Sequence, residues 1–137
     1  MRQDNSCLRQ LGALRDLHTM YTKGRIMDYQ VQHDGNVAIL ELHGVLDVAS
    51  ALGFQSALQS ILDDGGDRVV VNMADVSFMD SSGLGVLIAA HRRLSGTGGQ
   101  IVLANAMPAV HKVFQLTRTN RLFELHDTLP AAVDALR

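Results

Sequence analysis

The chain predicts an α/β domain built on a small mixed sheet of four or five strands with helices packed on it. Three observations carry that expectation. Continuous β-branched or aliphatic runs at Val69-Val70-Val71 and Ile101-Val102-Leu103 read as strands covered on both faces. They alternate with stretches whose apolar residues recur at helical spacing, which implies parallel pairing through right-handed crossovers. Ahead of them, two shorter stretches flank a hairpin signal, which adds one antiparallel pair.

The elements follow in order. Tyr29, Val31 and His33 alternate with Asp28, Gln30 and Gln32, the pattern of an edge strand. Asp34-Gly35, followed by Asn36, signals the hairpin turn. A second strand then runs through Val37, Ile39, Leu40 and Leu42 and ends near Gly44. Helix N-cap candidates occupy Asp47 to Ser50. Leu52, Leu58, Ile61 and Leu62 mark the apolar face of that helix, stopped at Asp63-Asp64-Gly65-Gly66. The Val69–Val71 strand comes next, then a loop over residues 77–82. A second helix carries Leu84, Leu87, Ile88, Ala90 and His91 and stops near Ser95-Gly96-Thr97-Gly98-Gly99. After the strand at residues 101–103, Met107-Pro108 opens a third helix, since proline at a first helical position loses no needed hydrogen bond. Val110, Val113, Phe114 and Leu116 form its apolar face. Leu122, Phe123 and Leu125 suit a last short strand. Leu129-Pro130 begins a terminal helix through Ala131, Val133 and Leu136. The expected order is β-β-α-β-α-β-α-β-α.

At 137 residues, with 47% apolar and 19% charged content, the chain fits one globular domain. The first 26 residues are set apart as a leader, with the domain over residues 27–137. Leu8, Leu11, Leu14, Leu17 and Met20 predict a short leader helix, with Asn5 or Ser6 as N-cap candidates. A natural start at Met27 and a membrane-surface role for the leader are the alternatives. Residues 1–25 carry five bases and two acids, whereas the remainder carries seven bases and twelve acids. An acidic body with 4% aromatics offers neither a phosphate footprint nor a base-stacking surface, so no nucleic-acid partner is expected. The single cysteine, Cys7, forms no internal disulfide and no four-cysteine metal site. No apolar run approaches the roughly 18–20 residues of a membrane span, and the leader lacks the apolar stretch of a signal peptide. A cytoplasmic protein without direct membrane insertion is the expectation.

The segment Phe78 to Ala90, FMDSSGLGVLIAA, carries the chemistry. An acid, two hydroxyls and two glycines sit where a loop meets a helix. Ser81 or Ser82 suits the N-cap. Gly83 and Gly85 each cost up to about 1 kcal/mol against alanine in a first turn, which suggests that close approach matters there. A plain capped helix is one reading. The other is a hydroxyl poised for phosphorylation, its phosphate meeting free N–H groups at the positive end of the helix. Such a phosphate adds about −1.5 to −2 charge to an acidic surface, which suits a switch on partner binding better than one on folding.

This segment resembles the phosphorylation segment of the bacterial anti-sigma factor antagonists, members of the STAS domain family. The runs VVVNMADV, GGQIVLANAMPAVHKVF and LFELHDTLPAAVDAL fit the same pattern, and HGVLDVASA resembles the family's strand-to-helix loop. The resemblance spans about Met27 to Arg137. It implies a STAS-like fold with Ser82 as phosphoacceptor and Ser81 as the fallback. It makes Asp80 a loop-shaping and docking residue, and it places Asp47 close to the phosphoacceptor. The implied docking surface comprises Asp47, Asp80, Ser81, Gly83, Leu84 and Gly85. Val45 stands where family members often carry an acid, a departure that bears on partner specificity. The implied partners are an anti-sigma factor that is also a serine kinase and a PP2C-type, metal-dependent phosphatase. The unphosphorylated protein binds the anti-sigma factor and frees the sigma factor; phosphorylation ends that binding.

No enzyme is expected. A nucleophile elbow needs G-x-S-x-G, but Met79 and Asp80 stand two residues before the serines. Gly83-Leu84-Gly85 begins a dinucleotide fingerprint that fails at Ile88, and no phosphate-binding G-x-x-x-x-G-K-[ST] run occurs. No cofactor is therefore expected; ATP and Mg²⁺ would belong to the kinase. The histidines lack paired-ligand spacing, and His43 and His91 read as partly exposed polar residues. The alternative function is a cytoplasmic STAS subunit of a lipid transport complex.

Overall fold

The computed structural model describes residues 28–137, and the expected leader helix lies outside them. The elements are β1 (Asp28–Asp34), β2 (Val37–Leu46), α1 (Val48–Asp63), β3 (Arg68–Met79), α2 (Ser81–Ser95), β4 (Gln100–Ala104), α3 (Pro108–Thr117), a 3₁₀ turn (Thr119–Arg121), β5 (Leu125–His126) and α4 (Leu129–Leu136). The order is the expected one.

The strands form one mixed sheet in the order β1-β2-β3-β4-β5. β1 pairs antiparallel to β2, and β2 to β5 are mutually parallel. Each successive parallel strand is laid down on the same side of its predecessor, so right-handed crossovers send α1, α2 and α3 to one face. Ala38, Leu40, Leu42, Val69, Val71, Ile101 and Leu103 point to that face and pack with Phe54, Leu58, Leu87, Val110 and Phe114 from the helices. Val37, Ile39, Val70, Val102 and Ala104 point the other way, to Ala132, Val133 and Leu136 of α4. Burial on both faces explains the unbroken aliphatic runs of the central strands. Each such side chain contributes about 1.5–3 kcal/mol by leaving water.

Several sequence expectations are corrected. β2 continues past Gly44 to Leu46, with irregular pairing at Glu41/His43 and Gly44/Val45. Gly44 holds φ +118, a backbone conformation that suits glycine, and so lets the strand kink without ending. β3 likewise reaches Met79, because Phe78 and Met79 pair with Val45 and Leu46. The loop expected over residues 77–82 contracts to Asp80 alone. Leu52 and Leu116, expected in the core, are each 74% exposed. In α1 the buried face is set by Ser50, Phe54, Ala57, Leu58, Ile61 and Leu62, and Leu52 falls opposite it. Leu122 lies outside the last strand, which shrinks to two residues because Arg118, at φ +61, ends α3 and the chain enters a 3₁₀ turn.

Candidate functional site

The site is built by register. Leu46 and Met79 are partners at the C-terminal ends of neighbouring parallel strands, and each is followed by an aspartate and then a helix. The Asp80 N–H donates to the Leu46 carbonyl at 3.0 Å, which ties the two junctions together. Asp47 and Asp80 therefore cap adjacent helices, whose positive ends open on the same edge of the sheet.

Asp47 anchors a capping box. Its Oδ1 accepts the N–H of Ala49 at 3.0 Å and of Ser50 at 3.2 Å. The Ser50 Oγ accepts the Asp47 N–H at 3.0 Å and lies 2.6 Å from the Val45 carbonyl, to which it donates. This reciprocal pair fixes where α1 begins.

At α2 the N-cap is Asp80, not a serine. Its Oδ1 accepts the Ser82 N–H at 2.8 Å. Ser81 is then the first helical residue and is exposed, and Ser82 is the second and half-buried. The expectation of a serine at the N-cap is thereby corrected. One first-turn amide is already taken by a carboxylate, so any added phosphate shares the helix end with an existing anion.

The two glycines differ. A Cβ on Gly83 would lie 3.1 Å from Leu46 Cβ and 3.1 Å from Met79 Cγ, so Gly83 lets α2 seat on the strand ends. A Cβ on Gly85 would meet nothing within 4 Å. Only Gly85 leaves open surface for an approaching molecule. Leu84, expected at the docking surface, turns inward and is 5% exposed. Its place at helical spacing with Leu87 is the core signal that explains this.

Sequence reasoning missed an apolar rim. Val45 and Phe78 are register partners with 39% and 50% exposure. Val48 and Leu52 stand one turn apart on α1 and are exposed at 75% and 74%. Their spacing of four, set opposite the buried stripe, was the available signal. On the strands beside this edge, His43 Nδ1 sits 2.7 Å from Asp75 Oδ2, and Nε2 lies 3.6 Å from Glu41 Oε1.

A mixed five-stranded sheet with three helices on one face, one on the other, and a Ser-Ser pair at the start of the second helix defines a small α/β domain. The chain belongs to the STAS domain family, whose model matches residues 28–132. It is 24% identical over 102 residues to the anti-sigma F factor antagonist of Paenibacillus polymyxa, covering 74% of this chain and 87% of that one. The crystal structure of an anti-sigma factor antagonist from Mycobacterium paratuberculosis superposes with a TM-score of 0.76 at 25% identity, covering 81% and 94% of the two chains. The unphosphorylated form of the anti-sigma factor antagonist SpoIIAA gives a TM-score of 0.64 at 26% identity, covering 80% and 98%. SpoIIAA of Bacillus also has a solved phosphorylated form, with the same TM-score and identity to this chain. No helix among the described residues is long and apolar enough to cross a membrane.

Proposed function

We propose that the protein is an anti-sigma factor antagonist whose unphosphorylated form binds an anti-sigma factor. That partner is itself a serine kinase. Its transfer of a phosphate to Ser82 releases it, and a PP2C-type phosphatase resets the protein. Ser81 is the alternative acceptor. The observation that carries the reading is the Asp80-Ser81-Ser82 start of α2, bordered by Asp47 and by exposed apolar side chains on β2, β3 and α1. The names of the relatives support it.

The chemistry follows from the geometry. Val45, Val48, Leu52 and Phe78 offer apolar area whose burial drives association, and Asp47 and Asp80 set a polar centre. A phosphoserine in the first turn of α2 brings about two negative charges beside Asp80. At a docking surface excluded from water, that charge finds no counter-ion, and its desolvation opposes docking of the partner. Folding is little affected, since a helix N-terminus tolerates anions.

The test is co-purification of tagged wild-type, Ser82→Ala and Ser82→Asp chains from the cells that make the protein. Wild type and Ser82→Ala should retain a protein with a serine-kinase ATP site, and Ser82→Asp should lose it. Equal retention by Ser82→Asp overturns the switch.

A further inference from the structure

Opposite charges gather at opposite ends of α2. Residues 28–80 hold nine acids and a single base, Arg68, whereas residues 81–123 hold five bases and no acid. Topology turns that division in sequence into one in space. β2 to β5 are parallel and the helices run back against them, so α2 and α3 start at the strand ends where Asp47 and Asp80 sit and finish at the far end. Arg92 and Arg93 fall in the last turn of α2, Arg118 closes α3, and Arg121 ends the 3₁₀ turn. Phe123 packs edge-on against His91 of α2 and Phe114 of α3, with ring centroids 5.4 and 6.0 Å away, which draws that turn and the two helix ends together. On the α1 side Asp63 holds Arg93 at 2.7 Å. Arg92, Lys112, Arg118 and Arg121 are exposed.

Two leucines stand among these bases. Leu116 of α3 is 74% exposed, and Leu122, just past the 3₁₀ turn, is 46% exposed. Lys112 lies one turn before Leu116 on the same outward side of α3. Glu124 turns away, held by Gln100 and His126 on the α4 side of the sheet. This face is therefore apolar at its centre and basic at its border. The rim at the starts of α1 and α2 is its inverse. There Val45, Val48, Leu52 and Phe78 are exposed, and the two capping aspartates, Asp47 and Asp80, stand among them. The whole chain carries a net charge of only −2, so bulk repulsion between copies is weak.

We propose that the basic face of one chain docks on the acidic rim of a second copy. Leu116 and Leu122 leave water against the rim's apolar side chains, which supplies the attraction. The charges set the orientation: two basic faces repel, as do two acidic rims, so only unlike surfaces meet. Such a contact is heterologous. Each chain keeps one unused face of each kind, and copies add head to tail. The rim includes the start of α2, so a chain engaged there has Ser81 and Ser82 covered, and self-association excludes any other protein from that site. The inference does not rest on the anti-sigma reading, since neither a phosphate nor a second protein enters it.

Sedimentation of the full unphosphorylated chain at rising concentration tests this, with one variant for each surface. Leu52→Lys puts a cation on the rim, and Leu116→Glu puts an acid on the basic face; both replace side chains that are 74% exposed, so thermal melts should match wild type. The mean mass of the wild-type chain should climb with concentration past that of two copies. Either variant alone should associate at least about tenfold more weakly. An equimolar mixture of the two should form a complex of two chains and stop there, because the intact basic face of the Leu52→Lys chain meets the intact rim of the Leu116→Glu chain. A wild-type chain that keeps the mass of one copy throughout overturns the proposal. So does a mass that stops at two, which marks a symmetric dimer, or a mixture that associates no better than its components. Leu116 lies outside the surface assigned to the anti-sigma factor, so the two readings fail separately.

Discussion

Asp80 does different work from the two serines that follow it. Asp80 satisfies the Ser82 amide directly, so Asp80→Ala removes an N-cap and should cost about 1 kcal/mol, read as a lower urea midpoint. The glycines make a sharper pair. Gly83→Ala drives a methyl against Leu46 and Met79 at 3.1 Å and should destabilise by about 1–3 kcal/mol. Gly85→Ala enters open space on a helix and should stabilise by up to about 1 kcal/mol. Denaturant titration of the two variants should move their midpoints in opposite directions. Sequence alone had assigned both glycines one purpose. The difference is tertiary: only the seating of α2 on the ends of β2 and β3 distinguishes them.

Among the elements, α1 and the ends of β2 and β3 carry the surface that a partner meets under the proposed function. Leu52→Glu on α1 and Phe78→Glu on β3 both replace exposed side chains. Each should leave stability within about 0.5 kcal/mol of wild type. Binding to the anti-sigma factor should nevertheless fall by more than about tenfold, as for apolar anchors at an interface centre. Isothermal titration beside thermal melts checks both halves of that expectation. The order of strands and helices was legible from the alternation of aliphatic runs and helical periods, with Gly and Pro as punctuation. Leu52 and Leu116 were misplaced because a run of apolar residues at mixed spacing fits two faces of one helix. Only the position of the sheet decides which face is buried. The loop expected at residues 77–82 failed for a related reason. Ser77 and Phe78 are both exposed on a long strand; Ser77 is the extra residue at the irregularity, and the pairing of Phe78 with Val45 of β2 cannot be seen in local sequence.

For the molecule as a whole, the parallel register of β2 and β3 converts two separate sequence motifs into one site. The capping aspartates of HGVLDVASA and FMDSSGLG, Asp47 and Asp80, are more than thirty residues apart, yet the Leu46–Met79 pair sets them side by side. The motif at residues 80–85 was legible as chemistry, and Val45 as a departure from the family pattern; Val48, Leu52 and Phe78 were not, since exposure is a property of the fold. Charge also acts at this scale. A phosphate on Ser82 would border residues 28–80, where acids outnumber bases nine to one. Under the proposed function the phosphate acts where water is excluded, so the release should persist as ionic strength rises, since buried charges are screened much less than exposed ones. Partner affinity of the phosphorylated form, measured at low and high salt, checks that persistence.

The most direct measurement is site mapping by mass spectrometry after incubation with the bound serine kinase and ATP, coupled to partner affinity before and after. One phosphate should be added, at Ser82, and the modified protein should lose partner binding. A phosphate placed only outside residues 80–83, or a phosphorylated protein that binds its partner as tightly as before, would contradict it.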